Sequence, residues 1–153
     1  MKRYFNFLTL VAIVLFIAQG CKKDEKQVIF EGGKAPELKL LTVNNESILL
    51  KKNKDKEFMR ISWTNPDYKF NTGVSSQDVT YLLQIDTVGA NFTNPNIQEI
   101  AISKDLQRTI TVGEFNTYLN KMELAVDTLG SFKHNIEIRI VSTINKAIPL
   151  YSQ

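Results

Sequence analysis

Cysteine occurs once in this 153-residue chain, at Cys21, so any thiol chemistry must be carried there. What precedes it narrows that chemistry. Lys2 and Arg3 give a positive start, and an apolar run from Phe5 to Ala18 is broken only by Asn6 and Thr9. Ala18-Gln19-Gly20 then leads into Cys21. The run is shorter than the roughly 20 apolar residues that span a bilayer. A short apolar run closed by a small residue and a lone cysteine reads as a bacterial lipobox, cut after Gly20, with a diacylglycerol on the Cys21 sulfur. The competing reading is a plain N-terminal membrane anchor with an incidental cysteine. Acylation would consume the only thiol and leave none for a disulfide, a metal or a nucleophile.

Acid–base chemistry has less to work with. The single histidine, His134, opens a strand beside Asn135, and no serine or acid is placed to complete a triad. Asp86, Asp105, Glu114, Glu123 and Asp127 are scattered, without the pairing of a glycosidase acid and nucleophile. Metal ligands do not cluster. The expectation is a non-catalytic chain that uses no cofactor and no metal. A ligand-binding face would instead take exposed aromatic side chains flanked by hydrogen-bonding groups. Trp63, Tyr68, Phe70, Tyr81, Tyr118 and Tyr151 are the candidates. Trp63 and Tyr81 fall on inward strand faces and read as core. Tyr68 and Phe70, with Asn71, lie in a polar loop from Asn65 to Gln77 and could make a small binding platform. Packing of that loop against the end of the fold is the competing reading.

The surrounding elements must position these groups. Residues 1–20 read as the signal peptide, 21–35 as the lipidated cysteine and a flexible tether, and 36–153 as one domain. The tether opens with Lys22-Lys23-Asp24-Glu25-Lys26 and closes with Gly32-Gly33. The full chain has 19 Lys and Arg against 16 Asp and Glu, a net +3; loss of Lys2 and Arg3 brings the balance near +1. No basic patch with interleaved aromatics appears, so nucleic acid is not an expected partner.

Short apolar segments separated by turn signals give an all-β pattern. Strands are expected at 38–43, 47–50, 57–64, 79–87, 97–103, 108–112 and 134–144. Met59, Ile61 and Trp63 share one face of their strand, and Val79, Tyr81, Leu83 and Ile85 share one face of theirs. Thr111 and Glu114 have capping-box spacing, and Phe115, Tyr118, Leu119 and Met122 recur at helical spacing. That predicts one helix from Val112 or Gly113 to near Glu123. The architecture expected is an immunoglobulin-like or fibronectin-III-like β-sandwich with one short helix and Trp63 at its centre. After Ile144 the chain runs only to Gln153 and the pattern supplies no final strand. The sheet holding 136–144 is therefore expected to keep an open edge, filled by chain beyond a truncation or by a partner's strand.

Several segments, taken in order, are similar to a known family. They are Ile61-Ser62-Trp63-Thr64, Tyr81-Leu82-Leu83-Gln84-Ile85-Asp86, Asn91-Phe92-Thr93-Asn94-Pro95, Glu114-Phe115-Asn116-Thr117-Tyr118-Leu119-Asn120, and Ile136-Glu137-Ile138-Arg139-Ile140. Across Pro36 to Gln153 they resemble the N-terminal domain of SusE-type outer-membrane lipoproteins of the Bacteroidetes. The resemblance implies an immunoglobulin-like spacer, lipid-anchored in the outer membrane and exposed on the cell surface. It implies a Sus-type starch and glycan uptake system, with a TonB-dependent transporter and polysaccharide as neighbours. In that family carbohydrate-binding domains follow the spacer; the chain stops at Gln153 before one, so a sugar site on this polypeptide is not implied. The expected partners are outer-membrane lipid through acylated Cys21, the Sus-type transporter complex and polysaccharide. Two alternatives stand beside the spacer. One is a direct carbohydrate-binding module at Tyr68 and Phe70, the other an assembly protein that accepts a strand on its open edge. Asp86-Thr87-Val88 and Asp127-Thr128-Leu129 also match the Asp-Thr-aliphatic triplet of O-glycosylation in the same phylum.

Overall fold

A computed structural model describes residues 27–43, 51–124, 134–145 and 147–152. Cys21, the signal segment, the strand expected at 47–50 and Asp127 lie outside the described residues. Among these residues ten strands and one α-helix follow in chain order: β1 (Phe30–Gly32), β2 (Leu38–Val43), β3 (Glu57–Trp63), β4 (Lys69–Phe70), β5 (Gly73–Val74), β6 (Val79–Thr87), β7 (Gln98–Ile102), β8 (Gln107–Thr111), α1 (Val112–Lys121), β9 (Ile136–Ile144) and β10 (Ala147–Tyr151). They form a four-stranded sheet in the order β10-β9-β6-β7 and two three-stranded sheets, β2-β3-β8 and β1-β4-β5. Every pairing is antiparallel.

Period-two alternation builds the core. Met59, Ile61 and Trp63 on β3 are buried while Arg60 between them is exposed. Tyr81, Leu83 and Ile85 on β6 meet them from the facing sheet, joined by Ile102, Ile110 and Ile140. One cluster draws on both larger sheets, which makes the fold a sandwich. The strand order is that of an immunoglobulin-type sandwich, with β2, β3 and β8 in the places of A, B and E, and β10, β9, β6 and β7 in those of G, F, C and C′. Trp63 is 4 % exposed at the centre, with its ring 5.6 Å from that of Tyr81.

The helix forms for the reason its sequence suggests. Thr111 accepts a hydrogen bond from the Glu114 N–H, and the Glu114 carboxylate accepts one from the Thr111 N–H, so two end donors are satisfied reciprocally. Arg108 holds the other Glu114 oxygen at 2.7 Å. Phe115 and Met122 then close one end of the core, with Phe115 stacked on Phe58 at 4.4 Å.

Two expectations about strands change. The edge of β9 is not open: residues 147–151 pair with it as β10, with Leu150 opposite Ser142 and Tyr151 opposite Val141. Pro149 and a bulge between Ala147 and Leu150 break the alternation that would have marked this strand. Ser152 extends the pairing, since its N–H donates to the Ile140 carbonyl at 2.8 Å and its hydroxyl accepts from the Ile140 N–H at 2.9 Å. The strand-accepting reading rested on that edge, and β10 occupies it. Within the stretch read as tether, residues 30–32 form β1, and Phe30 lies 6.0 Å from Tyr68 and 5.7 Å from Phe70 between ring centroids. Burying aromatic surface is what draws those residues onto the domain.

Candidate functional site

The loop from Asn65 to Gln77 is folded rather than irregular. Asn65 accepts from the Asp67 N–H in a local turn, and β4 and β5 make a tight hairpin that ends at Gly73, whose φ of +114° favours glycine. This hairpin fixes all three residues of the expected carbohydrate platform. Tyr68 is 1 % exposed. Its hydroxyl donates to the carbonyls of Ser142 at 2.8 Å and Ile148 at 2.9 Å, and meets the Ser142 hydroxyl at 3.2 Å. Asn71 is exposed, yet both ends of its amide are engaged: Oδ1 accepts from the Ile29 N–H and Nδ2 donates to the Gln27 carbonyl. Phe70 is half-buried against Phe30. The three side chains lie together and hold β1 and β10 onto the sandwich, and the Tyr68 ring presents no face to solvent.

A cleft of about 180 Å³ lies beside this loop, with Asn65, Asp67, Tyr68, Ser75, Asp78 and Tyr81 among its walls. Lys104 pairs with Asp78 at 2.7 Å on its rim, where both side chains are about two-thirds exposed. Burial pushes the Tyr68 hydroxyl up from its ordinary range. Burial, then the neighbouring Tyr68 and Asp67 charges, push Tyr81 up to about 12. Neutral phenols offer hydrogen bonds but no anionic base.

A second arrangement escaped the sequence reading. On the outer face of the four-stranded sheet, the Arg139 guanidinium lies 4.0 Å from the ring centroid of Phe92 and 4.7 Å from that of Tyr151. Arg139 Nε donates to Gln84 Oε1, and Gln84 Nε2 donates in turn to Glu99. Cross-strand register explains the row, because Gln84 stands opposite both Arg139 and Glu99. Phe92 reaches it from the 88–97 loop with φ +56°. Tyr151 stays 46 % exposed, so the row combines an accessible aromatic edge with an amide, a guanidinium and a carboxylate. Tyr151 offers an accessible aromatic contact, while the Gln84 amide is buried and bonded at both ends. Arg139 and Tyr151 are 12 residues apart and Phe92 is 47 before Arg139; the β9–β10 pairing and the 88–97 loop bring them together.

The remaining ionisable residues are dispersed. Asp86 is fully buried, accepting from the N–H groups of Thr87 at 2.7 Å and Asn94 at 3.4 Å. Those bonds give the Asp86-Thr87-Val88 triplet a role in the turn after β6. Glu114 serves the helix cap, Asp105 is exposed, and His134 is exposed just before β9. Among the described residues no three His, Cys, Asp or Glu side chains gather at a metal-binding spacing. Among them, too, no helix is long and apolar enough to cross a membrane.

The family model described as SusE outer membrane protein matches residues 23–140, well over half of the chain. No curated protein and no solved structure matches.

Proposed function

The chain belongs to the SusE outer membrane protein family, and from that premise we propose that it is a surface-exposed, non-catalytic spacer of a Sus-like glycan-uptake system. Cys21 carries the lipid, residues 22–26 lead from the bilayer, and the sandwich holds its neighbours at a set distance from the membrane. The mechanism is positional: anchoring raises the effective concentration of the domain around a Sus-type transporter complex and the polysaccharide it imports.

One observation carries the spacer reading over a direct glycan module, namely where the aromatic side chains go. Trp63, Tyr68 and Tyr81 are 4 %, 1 % and 3 % exposed and are spent on holding the two sheets, β1 and β10 together. The test has two readouts. Mass spectrometry of the native protein should find acyl chains on Cys21, and Cys21→Ser should move the chain out of the outer-membrane fraction. Affinity electrophoresis through gels of soluble starch and other polysaccharides should leave its migration unchanged. Retardation by a polysaccharide, abolished by Tyr151→Ala, would overturn the spacer in favour of a sugar site on the Arg139–Tyr151 row.

A further inference from the structure

The β1-β4-β5 sheet carries an apolar surface that the spacer reading leaves unexplained. Val28 is 61 % exposed, Ile29 55 % and Val74 65 %. These branched side chains stand on a pair of two-residue strands and the lead-in to β1. Their backbone is not loose. Asn71 clamps Gln27 and Ile29, the Asn71 N–H donates to the Ile29 carbonyl at 3.0 Å, and Lys34 N–H donates to the Pro66 carbonyl at 2.7 Å. Chain is thus held in a fixed place with these apolar side chains exposed to solvent.

We infer that this patch rests on the lipid surface of the membrane in which Cys21 is anchored. The inference depends on the acylation of Cys21 in the function proposed above. Chain length is the first argument: six residue steps separate Cys21 from Gln27, a reach of at most about 20 Å. Gln27 cannot stand farther than that from the acylated sulfur's residue, and Val28 and Ile29 come next. Charge is the second argument. The exposed neighbours Lys34 and Lys69 are balanced by the exposed acids Glu31 and Asp67. The contact is apolar insertion at the interface, without the salt-dependent attraction of a polybasic patch. Orientation follows. Tyr68 ties this sheet to β9 and β10, so the long strands β6 and β9 lead away from the bilayer. Val88, just past the far end of the nine-residue β6, is then roughly 25 Å farther out.

The test uses the whole acylated chain, reconstituted in vesicles of phosphatidylethanolamine and phosphatidylcholine that carry nitroxide quenchers on their acyl chains. Cys21 is the only native cysteine, and acylation blocks it, so Val74→Cys and Val88→Cys, both at exposed positions, each take one polarity-sensitive fluorophore. Expected is a blue-shifted label at position 74, quenched several-fold more than the label at 88, with no change when phosphatidylglycerol or salt is added. Equal quenching at the two positions in a chain whose mass shows the acyl groups overturns the patch and leaves the anchor standing. A mass without acyl groups overturns the anchor, and the patch falls with it.

Discussion

Removing one oxygen, in Tyr68→Phe, isolates the contact that joins the 65–77 hairpin to β9 and β10. The hydroxyl has one proton, shared between the Ser142 and Ile148 carbonyls at 2.8 and 2.9 Å, and a lone pair facing the Ser142 hydroxyl at 3.2 Å. The Ser142 hydroxyl keeps the Leu150 carbonyl as an acceptor at 3.3 Å. The Ile148 carbonyl, on a bulge residue with φ +55°, loses this donor in a site the ring still fills. A net hydrogen bond is worth about 1 kcal/mol, and leaving the part-buried Ile148 carbonyl without this donor adds up to about as much again, so the expected cost is about 1–2 kcal/mol. Phenylalanine preserves the packing, so no cavity contributes. Urea unfolding followed by the fluorescence of Trp63, which is the only tryptophan and is buried in the core, gives the free energy directly. The midpoint should fall with the slope unchanged. In hydrogen exchange, the amides of β10 should open before those of β6. A loss below about 0.5 kcal/mol, the lower bound for a net hydrogen bond, would refute the claim that this hydroxyl fastens β10.

Tyr81 should make the fold sensitive to alkali. Its pKa rises from 10.0 unfolded to about 12 folded, so the fold favours the neutral phenol; that contribution is fully present below pH 10 and is lost as pH climbs through about 12. Urea unfolding across that window should show a decline that Tyr81→Phe flattens. Thr111→Ala removes the acceptor for the Glu114 N–H and should cost about 1 kcal/mol in thermal unfolding, with Thr111→Ser largely restoring it. In Gly33→Ala the new Cβ would stand 2.9 Å from Leu150 Cδ1, 3.1 Å from the Pro66 carbonyl oxygen and 3.3 Å from Tyr68 Cδ1. That crowding should destabilise by about 1–3 kcal/mol in the same urea assay.

Alternation was strong enough in β3 and β6 to give both strands and their inward faces, and the Thr111–Glu114 spacing gave the helix start. These signals are local. The fate of Tyr68 was not local: flanked by Asp67 and Lys69 it reads as a loop residue, and its burial depends on carbonyls 74 and 80 positions away. β10 was hidden because Pro149 has no N–H and the left-handed Ile148 interrupts the period. β1, β4 and β5 are two or three residues long, too short for any period to register. The row through Glu99, Gln84, Arg139 and Tyr151 takes one residue from each of four strands, so only register, not spacing along the chain, could disclose it.

The way β1 is attached also sets how the protein yields under tension. A load applied at the N-terminal end reaches the Asn71 clamps first, then the β1–β4 pairing, then the Lys34–Pro66 bond. None of residues 27–35 belongs to the sandwich core, so peeling them leaves the two main sheets closed. Those nine residues, drawn straight, lengthen the leash by roughly 30 Å. The small sheet would therefore release before the Trp63 core when the chain is pulled from its N-terminal end.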